Sequence, residues 1–427
     1  MPGTRDVARN RYPRAFWVLW AAAVFGWAGR LVLPFLTLYL TQELAFSAKR
    51  AGTVLALYGF GGMGAALCAG WLADRFGPKR VLVCSASCSG TTAFLIGVLP
   101  HNRVSVLALV LALGAASQTM PPAFYNLVAN LGDPSRLANS YSWVMMGLNT
   151  GFAATSVLAG MLARVSFSLL FVAEAVVVWS AALLVALFVP GDVSRSQGRR
   201  RTAGSPRRPA TGGLRRLLAD RVFMSFLLLN GVFMAVYMQN QVSLPIAMAQ
   251  QGYDSFHYGL LLGLNGIALV IVQIHGYRLV ERRSLPRALA IGMFGLAVGV
   301  GAEAFATSMA AYAVCVLLWT AGELVYFPSE RAVSVQLAPG ELRGLYLGAV
   351  AMTTGLALLV APALGGWILG SMGTRWLWLS AGLVALLGAV ARWALVPVVS
   401  ARIRELSRGR ADAVPLTRPE RVAGESV

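Results

Sequence analysis

Long apolar runs separated by short polar segments dominate this chain. A hydrocarbon core about 30 Å thick needs roughly 20 apolar residues per helix, and runs of about that length recur twelve times. They are continuously apolar rather than alternating, which excludes a closed membrane β-barrel. The pattern predicts an all-α polytopic membrane protein whose spans are 15–40, 51–73, 81–99, 104–126, 138–162, 167–189, 222–245, 257–279, 287–307, 310–329, 343–369 and 376–397.

The amino-acid composition also places the chain in a lipid bilayer. Hydrophobic residues make up 57% of the 427 residues and charged residues only 12%, which leaves too little polar surface for a water-soluble protein. All four cysteines lie inside predicted spans, so neither a disulfide framework nor a Cys/His metal site is expected. No cofactor is expected, and the expected oligomeric state is a monomer.

The basic residues are divided unequally between the two sides of the predicted membrane. The formal net charge of +19 would suggest nucleic-acid binding in a soluble domain. However, twenty-nine of the 36 Lys and Arg fall on the side that holds both termini, and only five fall on the other side. This bias orients a membrane protein with its termini in the cytoplasm and needs no nucleic acid to explain it. We therefore expect a multi-pass protein of the plasma membrane.

The chain contains an internal repeat. A shift of 206 residues brings landmarks into coincidence, namely Gly70 with Gly276, Pro122 with Pro328, Asn130 with Gln336 and Gly160 with Gly366. Coincidences at one offset predict two six-helix bundles, and the basic segment between them is expected to be a disordered linker near anionic lipid. The predicted tail, first bundle, linker, second bundle and second tail are 1–14, 15–189, 190–218, 219–397 and 398–427.

The loop between the second and third spans carries the most specific motif. Residues 70–80 read Gly-Trp-Leu-Ala-Asp-Arg-Phe-Gly-Pro-Lys-Arg. They resemble the G-x-L-a-D-R-x-G-r-[KR] loop of the major facilitator superfamily, best known from its proton-coupled drug exporters. Twelve spans in two parallel halves, joined by a long central loop, also fit the major facilitator fold. The resemblance is to the twelve-span drug:proton-antiporter-like branch and covers nearly the whole chain except the tails and the linker.

The resemblance implies a conformational latch in this loop. In the superfamily the aspartate, here Asp74, holds the outward-facing state closed on the cytoplasmic side through contacts with span 11. A carboxylate at one helix end can meet the positive end of another helix, glycines permit a tight reversal, and the basic residues are expected in the headgroup region and cytoplasm. Pro78 replaces the usual basic residue. The expected latch residues are Gly70, Asp74, Arg75, Gly77, Lys79 and Arg80.

A second exporter motif, G-P-x-x-G-G in span 5, is degraded in this chain. Its positions, 155–160, read Thr-Ser-Val-Leu-Ala-Gly, while the repeat-equivalent positions of span 11 keep Pro362, Gly365 and Gly366. Small residues at this spacing let helices pack closely in lipid. A packing role and a functional role for these three residues therefore both stay open.

Ionisable residues inside the spans are few and are therefore functional candidates. The superfamily fold implies that spans 1, 4, 7 and 10 line the cavity, which includes Arg30 and Glu323. Glu323 is a candidate proton carrier, with a static pair as the alternative, and Arg30 is expected to form a gating or structural ion pair. Glu174 and Glu303 fall on outer helices and are expected to serve packing or to lie near the interface.

Uncharged polar and aromatic residues on the same spans are candidates for the substrate cavity. Such side chains hold amphipathic molecules by stacking and hydrogen bonding, and interhelical hydrogen bonding is the alternative reading. The candidates are Tyr237, Gln239, Asn240, Gln241, Asn126 and Trp319.

Three classes of function stay open. The first is a secondary active transporter that exports a small organic molecule in exchange for protons. The second is an importer or metabolite exporter of the same superfamily, which the degraded span-5 motif permits. The third, a polytopic membrane enzyme, is remote because the chain has three histidines, no nucleophile–base arrangement and no G-x-x-x-x-G-K-[ST] motif. The expected partners are therefore the lipid bilayer, a small-molecule substrate and protons.

Overall fold

The structure, a computed structural model, describes residues 13–26, 32–99, 103–131, 137–190, 213–275, 284–339 and 342–412. These residues are almost wholly helical, and none of them forms a β-strand. The helices of the first half are α1 (Arg14–Gly26), α2 (Val32–Leu38), α3 (Ala48–Phe76), α4 (Pro78–Val98), α5 (Arg103–Leu131), α6 (Leu137–Val165) and α7 (Phe167–Phe188).

The second half continues the same pattern. A π-helical turn extends α2 in the first half, and a 3₁₀ turn follows α12 here. The helices of the second half are α8 (Gly213–Ala219), α9 (Arg221–Val242), α10 (Leu244–Gln250), α11 (Ser255–His275), α12 (Leu285–Ala302), α13 (Met309–Leu337), α14 (Arg343–Ser371) and α15 (Thr374–Asp412).

Ten helical segments in the described part of the chain are long and apolar enough to cross a membrane. They are α4 to α7, α9 with α10, and α11 to α15. The remaining predicted spans are α1 with α2, and α3, which has 29 residues and packs along the apolar helices α5 and α14. At 1.5 Å per residue, 29 residues extend over about 43 Å, which exceeds the hydrocarbon core. The predicted all-α membrane fold is confirmed, with ten candidate spans and shorter helices in the described residues.

We call the side on which α1 begins and α15 ends the terminal side, and the opposite side the far side. Three helices that start on the far side begin with a serine cap. Ser47, Ser166 and Ser308 accept hydrogen bonds from backbone N–H groups three residues later. A serine oxygen satisfies a donor that the first helical turn leaves unpaired, so these caps fix where α3, α7 and α13 begin.

The packing within the two halves repeats helix for helix. In the first half α3 packs on α5, α4 on α5 and α7, and α1 on α6 and α7. In the second half α11 packs on α13, α12 on α13 and α15, and α9 on α14 and α15. Each pair in one half has its counterpart in the other, which confirms the two six-helix bundles expected from the 206-residue repeat.

The two halves meet along helix crossings on the far side. α3 crosses α14 where a Cβ on Gly366 would lie 3.1 Å from Gly52 Cα, and α6 crosses α11 where a Cβ on Gly160 would lie 3.1 Å from Gly259 Cα. Glycines allow this backbone approach in lipid. On the terminal side, by contrast, a Cβ added at Gly344 of α14 would meet no atom within 4 Å. The close glycine approaches between the two halves in the described residues therefore lie on the far side, which is closed.

Two of the predicted boundaries differ from the structure. Gly213–Ala219, assigned to the disordered linker 190–218, forms helix α8, because Gly213 and Leu217 share a helix face, Leu217 joins the core, and Gly213 lies against α14. Residues 191–212 of the linker lie outside the described residues. The last helix continues through Pro397 to Asp412, into the predicted tail, and Arg402 in that extension pairs with Asp220 at 3.6 Å and Glu405 at 2.9 Å.

Candidate functional site

A buried carboxyl group forms the centre of a polar cluster between three helices of the second half. Glu323 of α13 is 7% exposed. Its Oε1 accepts a hydrogen bond of 2.9 Å from the Tyr237 hydroxyl of α9, and its Oε2 accepts one of 3.0 Å from Asn265 Nδ2 of α11. Asn265 also donates to Thr320 Oγ1 at 2.9 Å, one turn away on α13. The tertiary structure thus brings together residues from α9, α11 and α13, which belong to the seventh, eighth and tenth predicted spans.

Aromatic rings flank this cluster. The Tyr237 ring lies 6.1 Å from the Trp319 ring and 5.5 Å from the Phe327 ring, both in edge-to-face geometry, and stacks 6.1 Å from Phe233. Edge-to-face aromatic pairs add stability beyond the apolar area that they bury. The rings hold the Tyr237 hydroxyl in place against the carboxylate, and they give the site an apolar wall.

The other cavity candidates take different positions. Gln239 donates to the Ala361 carbonyl at 2.9 Å and accepts from Ser243 at 2.6 Å, so it ties α9 to α14. Gln241 interacts with Tyr237, whereas both amide atoms of Asn240 are buried without a hydrogen-bond partner. Asn126 accepts from Asn130 within α5 at 3.0 Å. Gln241 therefore lies beside the aromatic wall.

The span-packing candidates of α14 contact two different helices. Pro362 and Gly366 face α3, where Gly52 and Ala48 approach them, while Gly365 faces Gln239 and Ser243 of α9. The three residues therefore serve the close approach of backbones that the sequence suggested. These contacts favour the packing role.

The turn between α3 and α4 has the tight geometry expected of the latch loop. Gly77 has φ +86°, in a region that glycine adopts readily, and it caps both helices. Pro78 is the first residue of α4, where a missing N–H costs nothing. Lys79 Nζ donates to the Ala186 carbonyl at 2.8 Å, near the end of α7. Lys79 thus stabilises the C-terminal end of α7, and its expected place in the headgroup region stays a prediction.

Several predicted site residues lie outside the described part of the chain. Arg30 falls in the segment 27–31, and the side chain of Asp74 is likewise not described, although its backbone belongs to α3. For Gly70 too, only the backbone is described, as part of α3. Arg75 is exposed, with its guanidinium 6.0 Å from the Trp71 ring and 5.9 Å from the Phe76 ring. Arg80 is exposed as well.

A buried arginine, which the sequence analysis did not single out, organises a second polar network. Arg392 of α15 donates to the Tyr326 hydroxyl at 2.5 Å and lies 5.3 Å from the Phe226 ring. Tyr326 in turn donates to Asn230 Oδ1 at 2.8 Å, and Asn230 Nδ2 donates to Thr353 Oγ1 at 2.8 Å. The network joins four helices of the second half. Its sequence signal was an arginine inside a span, which is costly unless it is partnered.

The two glutamates assigned to outer helices are both buried. Glu174 is 8% exposed and Glu303 only 1% exposed. For Glu303, burial fits the expected packing role, and a position near the interface stays a prediction. The 3₁₀ turn Glu303–Phe305 follows α12, and α13 and α15 pack against it, so the carboxyl group lies inside the second bundle.

An ion pair joins the halves on the far side. Arg164, at the end of α6, lies 3.0 Å from Asp254, which precedes α11, and His257 Nδ1 lies 2.7 Å from the same carboxyl group. Partial burial raises the pKa of Asp254, but hydrogen bonds from the His257 backbone and ring, together with the Arg164 charge, outweigh burial and hold that pKa below its usual range. Asp254 is therefore charged at neutral pH, as an ion pair requires.

Known proteins of similar sequence are membrane transporters of one superfamily. A sequence profile of the Major Facilitator Superfamily matches residues 18–302 and 240–422. The uncharacterized MFS-type transporter YttB of Bacillus subtilis (strain 168) is 26% identical over 386 residues, which cover 89% of this chain and 94% of YttB. The multidrug resistance protein MdtH of Sodalis glossinidius (strain morsitans) is 25% identical over 345 residues, which cover 79% of this chain and 81% of MdtH.

Solved structures share the fold. A POT family transporter in complex with a thioalcohol conjugated peptide superimposes with a TM-score of 0.77 at 15% identity, covering 91% of this chain and 97% of that one. The nucleoside transporter NupG gives a TM-score of 0.76 at 13% identity, with 90% of this chain and all of that one covered. At such identities the likeness shows the fold alone.

Proposed function

This chain belongs to the Major Facilitator Superfamily, and we propose that it exports a small organic molecule in exchange for protons by alternating access. It is a secondary transporter rather than an enzyme. In the proposed cycle the two bundles rock about the Glu323 cluster, so that the cluster opens to one side of the membrane and then to the other. The basic linker between the bundles is proposed to stay in the cytoplasm.

The single observation that carries proton coupling is the environment of Glu323. A carboxyl group inside a membrane span is costly unless it is neutral or well partnered. Tyr237 and Asn265 donate to its two oxygens, so the charged form is stabilised while burial opposes it. A carboxyl group balanced in this way can gain and lose a proton as its access to water changes.

Export is the proposed direction because of the named relatives. MdtH is called a multidrug resistance protein, and the latch loop resembles that of drug exporters. The flanking rings of Tyr237, Trp319 and Phe327 suit an amphipathic organic substrate. An importer of the same superfamily is the alternative, and the direction of flux separates the two.

The orientation follows from the basic residues. We propose that the terminal side is cytoplasmic, because positive residues concentrate there. The structure, closed on the far side, is then closed towards the outside. Single cysteines at Gln197 and Ser407 should react with an impermeant maleimide only in inverted vesicles or permeabilised cells. Reaction from outside intact cells would contradict the orientation.

A flux assay in sealed proteoliposomes tests the function itself. Cationic, neutral and anionic amphipathic compounds would be loaded in turn under an imposed pH gradient, with empty liposomes as the control. We expect the transported compound to accumulate in the direction opposite to proton flow. A protonophore should abolish this accumulation. Transport of no compound in the panel in response to the pH gradient would overturn proton-coupled export, and uptake in the direction of proton entry would favour the importer.

A further inference from the structure

Glu303 is a buried carboxyl group without a visible partner. It lies in the 3₁₀ turn after α12, is 1% exposed, and neither of its oxygens has a hydrogen-bond partner. Phe305, two residues later in the same turn, is 63% exposed. Glu303 therefore lies inside the second bundle, one turn away from its far-side surface.

Every helix around Glu303 contributes polar or titratable groups. Tyr258 of α11 and both Tyr312 and Cys315 of α13 are close enough to interact with it electrostatically. The Trp319 indole N–H of α13 faces the carboxyl group but completes no hydrogen bond. From α15 comes Arg375, whose guanidinium lies 5.4 Å above the Phe305 ring.

These neighbours decide the state of the carboxyl group. An ionised carboxylate in an apolar interior is strongly destabilised unless a counter-ion or several donors satisfy it. Arg375 lies against Phe305 rather than in an ion pair with Glu303. The surrounding phenol, thiol and indole groups also provide too few oxygens for a hard metal ion, which takes about six or more. This environment therefore favours the neutral, protonated form of the Glu303 carboxyl group.

We propose that Glu303 is a second proton-binding site of the transporter, protonated while the far side is closed and releasing its proton to far-side water when that side opens. The step is a simple acid dissociation: the O–H bond of the carboxylic acid breaks, water takes the proton, and the carboxylate that remains is stabilised by hydration. Closure of the far side expels that water and favours reprotonation.

The position of Trp319 connects this site to the first one. Trp319 lies one helical turn before Glu323 on α13, and its indole N–H faces Glu303 while its ring contacts Tyr237, the donor to Glu323. One tryptophan side chain thus lies beside groups of both sites. As part of a proton route, this inference rests on the proposed function; the protonation of Glu303 itself does not.

Infrared spectroscopy of the full-length protein in lipid nanodiscs tests the protonation directly. About pH 8 is far above the ordinary pKa of a glutamate side chain, about 4.3. A carboxyl group that is still neutral at this pH shows its C=O stretching band. We expect wild type, Glu323→Gln and Glu174→Gln to retain one band that Glu303→Gln lacks. Glu174 is the matched control, a buried glutamate of the first half that has an interaction partner. An unchanged spectrum in Glu303→Gln overturns the proposal.

Two further variants keep the test decisive. If Glu303→Gln does not insert, Trp319→Phe replaces the indole beside the carboxyl group with a smaller ring that has no N–H, and it should shift the frequency of the same band; no shift contradicts the assignment. Arg164→Ala loosens the far side and should weaken the band, because hydration permits ionisation. A band of full intensity in a variant whose far side is shown to open, by faster labelling of a single cysteine at Lys49, would overturn the release step. If the band behaves as expected while flux ignores the pH gradient, the proposed function fails and the proton site stands.

Discussion

Arg164 and Asp254 connect the two halves of the protein across its closed far side, with 3.0 Å between Arg164 Nε and Asp254 Oδ2. Both side chains are partly exposed, at 63% and 34%, so solvent screens their attraction and the pair contributes at most about 1 kcal/mol. The pair thus adds a weak interaction to the helix crossings that glycines make possible. A weak interaction suits a transporter, because the closed state has to open again in each cycle.

The first prediction is a disulfide lock. A Cβ on Gly370 of α14 would lie 3.7 Å from Lys49 Cβ of α3, which is close to the usual Cβ separation of a disulfide. In a cysteine-free background, K49C/G370C should cross-link on mild oxidation, abolish transport, and recover activity on reduction. The single variants, oxidised in the same way, should transport normally. Efficient cross-linking with unchanged flux would contradict a far-side opening step.

The second prediction uses the rate of this cross-linking to measure how far the Arg164–Asp254 ion pair stabilises far-side closure. Arg164→Ala should slow K49C/G370C cross-linking by up to about fivefold, because loss of about 1 kcal/mol shifts the population away from far-side closure. Asp254→Asn should act alike, and the charge-swapped pair R164D/D254R should restore the rate. If the double swap is slower than either single variant, the two residues do not act as a pair.

The third prediction concerns the glycine crossings. An added methyl group at Gly366 would lie 2.5 Å from the Ala48 carbonyl oxygen and 3.1 Å from Gly52 Cα. Gly366→Ala should therefore force α3 and α14 apart and lower far-side closure, measured as faster labelling of a single cysteine at Lys49. Gly64→Ala is the matched control, since its added Cβ would meet no atom within 4 Å. Equal labelling in both variants would rule out the crossing as a closure element.

The fourth prediction separates coupling from binding at Glu323. Glu323→Gln should abolish accumulation driven by a pH gradient and retain exchange at equal pH, because the amide resembles the neutral acid but releases no proton. Glu405→Gln, on the exposed end of α15, is the control. Retained pH-driven accumulation would remove Glu323 from the coupling site. Loss of both activities would make it a structural partner or a substrate ligand.

The fifth prediction tests the latch implied by the α3–α4 loop. Asp74→Asn should lower turnover while insertion stays normal, because a charge–helix-end interaction of roughly 0.3 to 2 kcal/mol is lost from the far-side-open state. The same change should speed K49C/G370C cross-linking, as the population shifts towards far-side closure. Wild-type turnover would exclude the latch role, and loss of the folded protein would make Asp74 structural.

The sequence by itself determined the spans and the repeat. Span length is a local property, set by bilayer thickness and by runs of apolar residues, so α4 and α7 were found to within a few residues of 81–99 and 167–189. The repeat of small residues at one offset likewise placed Gly160 and Gly366 at equivalent helix crossings. The tight turn at Gly77 followed from its motif. The short helix α8 was missed, because its seven residues are too few to show a helical period.

Only the tertiary structure decided which polar groups meet. In lipid, a face that packs on a neighbouring helix and a face that contacts acyl chains are both apolar, so hydropathy does not give the rotation of a helix about its axis. That rotation brought Tyr237 and Asn265 to Glu323 across 86 and 58 residues of sequence. It also buried Glu303, which the order of spans had placed at the lipid side. The contact of α3 and α14 on the far side is a property of the whole assembly, set by the balance of many weak contacts.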